Sequence, residues 1–384
     1  KNLPIEKLKN LKGDSSLEND NTGFFTEFIL GLPGESKKSH YNSLRDAIDT
    51  MNIDSLDVHQ LNLSMGAPMA ILDERVKWGF KSKYRLFIGR IGNYKIGEEN
   101  IPIGEYDEVV VGNREMNYND WIECRQLDFL VKVYFDRAYF NEVFEFIHGY
   151  GLSKFDLLLL LFTNHINNYP KIKSLLEEYI LKVEEPLHDT IEDFYKFIRD
   201  KKNVDKYARG VIGGNELTIN RARMYIECND ELHLALKDAA NEYLHDNGFS
   251  NDDSINYLEE VTRFSSLRKL SFTNYKENLF ANLSYDFVTI SNKNFKINVK
   301  DLPMYNGQKN RYRFYYDDIA LNELDYAINQ WIGKGICQDI NFSDSLDISN
   351  LKTKGNEAQI NYNLGKFFHQ INMKVLKRSF EKIY

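Results

Sequence analysis

The alternation of apolar and polar positions near the start of the chain predicts a strand–helix–strand unit. Residues 26–36, TEFILGLPGES, predict a strand over Phe25–Leu30 and a sharp turn over Gly31–Gly34. In the next segment four apolar residues recur at helical spacing: Tyr41, Leu44, Ile48 and Met51. A second strand-like run, SLDVHQLNLSMGAPMA, is then broken by Gly66 and Pro68. Such a βαβ unit indicates a parallel sheet, in which functional groups gather at the carboxyl ends of the strands.

The pattern changes further along the chain. Glycine-punctuated, β-rich runs occupy residues 76–118, and helical periodicity dominates residues 119–384. One apolar helical stripe consists of Ile172, Leu175, Leu176, Tyr179 and Ile180. A helix is predicted over 251–264, and a small β patch within 270–316, where segments such as YDFVTISNKNFKINV alternate. We therefore predict an α/β protein with three parts: residues 1–75, the β-rich segment, and a mostly α-helical extension.

Strand alternation groups unusual residues on the faces of the two predicted strands. Glu27, Ile29 and Gly31 share one face of the first strand. In the second strand one face carries Val58, Gln60 and Asn62, and the other carries His59, Leu61 and Leu63. Strands of a parallel sheet are normally apolar on both faces, so an acid and two amides need an explanation. Either they form a binding site, or Glu27 begins its strand in water and the two amides pair with each other.

Composition and charge exclude several classes of protein. The net charge of −8 and the scattered basic residues argue against a general nucleic-acid-binding surface. The longest apolar stretch, Leu157–Phe162, is far shorter than the ~20 residues of a membrane helix, so we expect a core segment there. No secretory leader is visible. The cysteines Cys124, Cys228 and Cys337 are too widely spaced for a metal knuckle, so we expect three buried thiols in a reducing cytoplasm.

Other motifs point to structure rather than chemistry. GVIGGN at 210–215 has no strand before it, so we expect Asn215 to cap a helix there. The eight histidines form no HExxH motif, and no GxSxG motif occurs. Aromatic runs such as FYY at 314–316 lack interleaved basic residues and are expected to pack in the core. The two predicted strands therefore remain the leading candidates for a functional site.

The two strands together resemble the later strands of the radical S-adenosylmethionine (SAM) barrel. TEFILGLPGES, followed about thirty residues later by LDVHQLNLSMGAPM, is most similar to the subgroup with an N-terminal cobalamin-binding domain, the relatives of the anaerobic magnesium-protoporphyrin cyclase. Residues 1–12, which are predicted to be helical, resemble the helix before the first of these strands. GEENIPIGEYDEVVVGNREMNYNDWIECRQL resembles the segment after the barrel. The resemblance covers about residues 1–130.

This resemblance implies a SAM cofactor across the carboxyl ends of the strands. Glu27 would hold the ribose hydroxyls by charge-assisted hydrogen bonds, Ile29 would pack on the adenine, and Gly31 would let the backbone approach it closely. Leu63 and its neighbours would line the adenine through main-chain contacts. The residues that would face the barrel interior, and a substrate or second cofactor there, are Gln60 and Asn62.

Family chemistry also requires a CxxxCxxC loop that holds a 4Fe-4S cluster, whose open iron binds SAM. With a reducing electron donor, the cluster would cleave SAM to a 5'-deoxyadenosyl radical that acts on a small-molecule substrate. This sequence contains no such motif. We therefore expect the C-terminal portion of a longer enzyme, inactive alone, with the cluster ligands and any cobalamin-binding domain outside this chain.

Two alternatives stay open. The front half of the barrel could be supplied by another chain. The chain could instead be a non-catalytic, α-rich binding module in which the strands are a degenerate barrel remnant. A transferase of another fold has no motif in its favour, and residues 119–384 do not indicate a substrate.

Overall fold

The chain is a mixed α/β protein in which helices predominate and the sheets are small, as the predicted α/β class requires. The computed structural model describes residues 25–51, 53, 55–200, 202–204, 215–297, 302, 308–331, 364–368, 371 and 373–383. Within these residues the strands do not close into a barrel. The helix predicted over residues 1–12 lies outside the described residues.

The predicted βαβ unit is present. Strands β1 (Phe25–Leu30) and β2 (Ser55–Gln60) pair in parallel. Helix α1 (Lys37–Arg45) connects them and continues as a π-helical turn over Asp46–Thr50. Ser36 caps α1 in a reciprocal capping box, which satisfies amides that a helix start leaves without partners. The apolar side of this connection packs into the main core, as its helical spacing predicted.

An antiparallel hairpin follows the βαβ unit, in agreement with the β-rich pattern of that segment. After the short helix α2 (Leu72–Trp78), strand β3 (Lys81–Ile96) pairs with β4 (Glu99–Gly112). The register is interrupted between Leu86 and Ile91. The carboxyl-terminal end of β4 is apolar and buried, so this part of the hairpin belongs to the core rather than to an exposed arm.

Helices make up most of the chain beyond the hairpin. They are α3 (Tyr118–Tyr134), α4 (Asn141–His148), α5 (Lys154–Leu160), α6 (Pro170–Glu184), α7 (Ile191–Arg199), α8 (Glu216–Glu227), α9 (Asn229–Asp246) and α10 (Asp252–Arg268). All five residues of the predicted stripe on α6 are buried, so the helical spacing located a core face correctly. Leu157, Leu158 and Leu161 are also buried, which confirms the predicted core segment.

The C-terminal part contains a three-stranded antiparallel sheet. Its elements in chain order are β5 (Leu279–Leu283), α11 (Phe287–Asn292), β6 (Asn310–Tyr315), α12 (Asp318–Trp331) and β7 (Ser379–Ile383), with β6 in the centre. A small β patch was predicted within residues 270–316, and β5 and β6 confirm it. The alternating run YDFVTISNKNFKINV, on which the prediction partly rested, instead contains α11. Asp286 caps α11 by accepting a hydrogen bond from the amide of Thr289, and Phe287 and Ile290 pack inward one turn apart.

Several smaller predictions can also be compared with the fold. Asn215 caps α8 by accepting a hydrogen bond from the amide of Thr218, as predicted. Cys124 and Cys228 are buried free thiols, whereas Cys337 lies outside the described residues. Among the described residues, no helix has the length and apolar character needed to cross a membrane.

Candidate functional site

The turn after β1 is shaped by one carboxylate. Gly31 and Gly34 adopt φ values of +96° and +74°, a region that glycine occupies without the cost of a Cβ atom. Oε2 of Glu35 accepts hydrogen bonds from the amides of Gly31, at 2.7 Å, and Leu32, at 3.2 Å. The glycines and the acid of GLPGE therefore work together, because the acid holds the backbone that the glycines allow to turn.

A buried histidine connects this turn to the helical part of the molecule. His40 Nδ1 lies 3.1 Å from Oε1 of Glu35, and its Nε2 lies 2.8 Å from Oδ1 of Asp128 on α3. Burial opposes protonation of His40, but the two carboxylates outweigh it and raise its pKa to about 10. At neutral pH the ring is thus a buried cation between two acids. The sequence reasoning assigned no role to Glu35 or His40, although their positions just after the glycines were a usable local signal.

The end of β4 supports the same turn from the other side. The side-chain amide of Asn113 donates hydrogen bonds to the carbonyl oxygens of Leu32, at 3.1 Å, and Glu35, at 3.0 Å. Its side-chain oxygen accepts from the amides of Glu115 and Met116. Asn113 is buried, so these bonds replace water for both segments.

The segment that follows β2 is also fastened to β4. The amide of Val110 donates to the carbonyl of Leu61, and the amide of Leu63 donates to the carbonyl of Glu108, both at 2.8 Å. The carboxylate of Glu108 forms a two-pronged ion pair with Arg75 of α2, whose Nε also donates to a carbonyl of the 61–70 segment. Both strand ends of the βαβ unit are therefore positioned by β4.

One face of the β1–β2 pair is open to solvent. Glu27 and Ile29 lie on this face, with Ile29 41% exposed, whereas Phe28 and Leu30 point toward the core. His59 of β2 lies next to Ile29 in the register, and its Nε2 is 3.5 Å from Oε1 of Glu27. The alternation predicted for the first strand thus agrees with its burial pattern, and Glu27 is an exposed acid.

The alternation predicted for the second strand holds only as far as Gln60. Val58 is buried and His59 exposed, but Leu61 and Leu63 are buried while Asn62 is exposed. The faces change because the regular strand ends at Gln60 and the chain then bonds to β4. His59, rather than Gln60 or Asn62, therefore shares the open face with Glu27. Gln60 is half-buried, and its side-chain oxygen has no hydrogen-bond partner among the described residues.

The open face of the β1–β2 pair carries a carboxylate and an aliphatic side chain that are both exposed. An exposed carboxylate can accept hydrogen bonds from vicinal hydroxyls, and an exposed aliphatic side chain can pack against a base. Among the described residues, no three His, Cys, Asp or Glu side chains are arranged so that they could hold a metal ion. Burial raises the pKa of the thiols of Cys124 and Cys228 well above the usual range.

The chain is distantly similar to cobalamin-dependent radical SAM methyltransferases. It is 24% identical over 190 residues to the cobalamin-dependent radical SAM methyltransferase TokK of Streptomyces tokunonensis, a match that covers 47% of this chain and 27% of TokK. It is also 24% identical over 125 residues to the 2-(S-pantetheinyl)-carbapenam-3-carboxylate methyltransferase of Streptantibioticus cattleyicolor, covering 32% of this chain and 17% of that enzyme. No family model matches the chain. The matches thus span 27% or less of the length of these curated relatives.

Proposed function

We propose that the open face of the β1–β2 pair binds the nucleoside part of SAM in a radical SAM enzyme. The observation that carries this proposal is the exposure of Glu27 and Ile29 side by side, directly before the glycine turn. Glu27 would accept hydrogen bonds from the ribose hydroxyls, and Ile29 would pack against the adenine. The main chain at Gly31 and Leu63 would make the remaining contacts with the nucleoside. Gln60 and Asn62 would lie at the margin of this site, toward the substrate.

We infer that β1 and β2 are later strands of a radical SAM barrel, and that the hairpin and helices are its extension. Within the described residues the β1–β2 sheet has two strands, and Phe25 and Ile29 are 54% and 41% exposed on its open face. Parallel sheets are normally covered on both faces and contain more than two strands, so this pair is expected to belong to a larger sheet.

The residues that hold the 4Fe-4S cluster and cobalamin would lie outside the open face of the β1–β2 pair. When bound, a 4Fe-4S cluster would supply electron transfer and cobalamin would supply methyl-group chemistry. The name of TokK mentions cobalamin and methyl transfer for that protein. The present chain would orient the nucleoside through Glu27 and the glycine turn. A cytoplasmic location, a reducing electron donor and methylation of a small molecule complete the proposal.

Binding of SAM to the 384-residue chain tests this assignment. Isothermal titration calorimetry is expected to show saturable binding of SAM and of 5'-deoxyadenosine, because both carry the ribose and adenine. Glu27→Gln should weaken both affinities about tenfold, since it replaces charge-assisted hydrogen bonds by neutral ones. Glu105→Gln, an exposed acid of β4, is the matched control and should bind as the unaltered chain does.

A lack of binding at millimolar nucleoside, or equal affinities of the Glu27→Gln and Glu105→Gln variants, would reject the proposed site. The non-catalytic binding module is then the remaining candidate. It is favoured by the 3.5 Å distance between Nε2 of His59 and Oε1 of Glu27, because an acid that already has a partner in its own sheet does not require a ligand.

A further inference from the structure

A large cavity lies in the helical part of the molecule. It has a volume of about 940 Å³ and opens between the start of α6, the junction of α8 with α9, and residues 266–274. This volume is at the upper end of the range for small-molecule sites. None of its lining residues belongs to β1, β2 or the segments that follow them. The cavity is therefore distinct from the proposed nucleoside site.

The inner wall of the cavity carries two buried basic side chains. Lys269 and Arg378 line it, and each is 1% exposed. Nζ of Lys269 lies 3.2 and 3.1 Å from the two carboxylate oxygens of Glu142. Arg268 lies 3.5 Å from the same carboxylate, and Lys377 packs against the same cluster with its ammonium on a backbone carbonyl. Three cationic groups, those of Lys269, Arg268 and Lys377, thus surround one buried acid.

Arg378 forms no salt bridge among the described residues, and Glu277, whose charge acts on it, is exposed to solvent. Its Nη1 donates to the carbonyls of Leu267 and Lys269, and its Nη2 donates to the carbonyl and side-chain oxygen of Asn274. Its Nε is buried without a hydrogen-bond partner in the described part of the chain. Carbonyl groups satisfy donors but leave the full charge in place, and a buried charge without a counter-charge is costly.

The acids at the outer wall are largely committed elsewhere. Glu178 and Glu227 both bind Arg223. Glu231 accepts hydrogen bonds from the amides at the start of α6. Asp230 also lines the cavity, but it is exposed to solvent at the mouth. Lys269 is paired with Glu142, so the charge that these outer acids leave without an ion pair is that of Arg378.

We propose that this cavity binds a small organic anion, a carboxylate or a phosphate ester with an apolar body. The anionic group would lie against Arg378 and Lys269, where it would accept a hydrogen bond from the free Nε and offset the buried charge. The apolar body would pack on Phe272, Leu270 and Leu175, which line the same space. Lys171, exposed at the rim, would attract the anion as it enters.

Ligand-dependent melting of the full chain tests the proposal with three matched probes at constant ionic strength: phenyl phosphate, benzoate and benzyl alcohol. At least one of the two anions should raise the melting temperature saturably, because it binds the folded state alone. Benzyl alcohol has the same ring without the charge and should bind at least tenfold more weakly. Tighter binding of phenyl phosphate would indicate a phosphate ester, and tighter binding of benzoate a carboxylate.

Two variants locate the binding. Arg378→Gln should weaken anion binding at least tenfold, with folding verified by circular dichroism. If that variant does not fold, Ser174→Trp is the deciding variant. It places a large ring at the exposed rim of the cavity and should also weaken anion binding at least tenfold. Lys173→Trp, on the same helix but outside the cavity, is its control and should bind within twofold of the unaltered chain. The proposal is overturned if neither anion binds, if benzyl alcohol binds equally well, or if the deciding variant binds as its control does.

Discussion

His40 is the residue through which the glycine turn is coupled to the helices. The ring contacts Glu35, which holds the turn, and Asp128, which lies on α3. Asp128 in turn lies 4.0 Å from Arg125, which donates to the hydroxyl of Tyr179 on α6. A substitution at His40 should therefore alter the proposed nucleoside site on the open face of the β1–β2 pair, although the ring itself does not reach that face.

The protonated state of His40 should make stability depend on pH. Its folded-state pKa of about 10 lies above the ~6.5 of an unfolded histidine. Its contribution is therefore fully present below pH 6.5 and is lost as the pH rises toward 10. We expect the difference in unfolding free energy between the unaltered chain and His40→Gln, measured with urea, to shrink by at least ~1 kcal/mol from pH 6 to pH 9.

The exposed His245 provides the control for this prediction. His245→Gln should leave the unfolding free energy within about 0.5 kcal/mol of the unaltered chain at both pH values. A constant difference for His40→Gln across the same range would show that His40 is not held as a cation.

Local patterns predicted single residues only where neighbours along the chain decide their environment. Strand alternation placed Glu27 and Ile29 on one face because β1 is regular over its length. It failed after Gln60, where a bond to β4 replaces the regular strand. The partnership of His40 with Asp128 spans 88 positions, so no local period could predict it.

At the scale of elements, the turn over Gly31–Gly34 determines where β1 ends. A Cβ atom at Gly31 would lie 3.5 Å from Val110 and 3.8 Å from Leu61, which are ordinary contacts. Space therefore does not require glycine there, and the positive φ does. The glycine is thus a conformational requirement of the turn that Glu35 binds.

Gly31→Ala tests whether the backbone conformation at Gly31 affects nucleoside binding separately from overall stability. Because its φ of +96° is unfavourable for alanine, we expect a loss of about 1–2 kcal/mol in urea unfolding and at least tenfold weaker binding of 5'-deoxyadenosine. Gly248, after α9, has a φ of +75° and open space around it. Gly248→Ala should lower stability but leave nucleoside binding unchanged. Equal binding losses in both variants would show that Gly31 acts only through global stability.

The elements themselves were predicted in proportion to the strength of their periodicity. α6 has a clean apolar stripe and was located correctly, because a helix that packs on a core must repeat every 3.6 residues. The run around α11 alternates apolar and polar residues for a few positions, which is typical of a strand. The cap at Asp286 and the burial of Phe287 stabilise a helix there instead.

At the scale of the whole molecule, Glu142 joins segments that are far apart in the sequence. The acid lies on α4, whereas Ser265 and Lys269 come from the end of α10 and the residue that follows it. His233 of α9 bonds to Ser265, and Arg378 at the start of β7 packs along the same segment. Charged residues in a helical sequence usually face water, so this buried cluster could not be expected from the pattern of residues. The free-energy cost of burying these charged groups is offset only when all of their hydrogen-bond and ion-pair partners are in place.

Glu142→Gln should therefore be strongly and pH-dependently destabilising. Burial raises the pKa of Glu142, but Lys269, Lys377 and Arg268 outweigh burial and hold it below the usual range. Its contribution is thus present above the unfolded value of ~4.3 and is lost as the pH falls further. In urea unfolding we expect the variant to lose about 3–5 kcal/mol at pH 7, because buried cations lose their counter-charge. Between pH 7 and pH 3 this difference should fall by about 1–2 kcal/mol. Glu105→Gln should show neither effect, and a loss below about 1 kcal/mol at pH 7 would mean that the cluster does not hold these segments together.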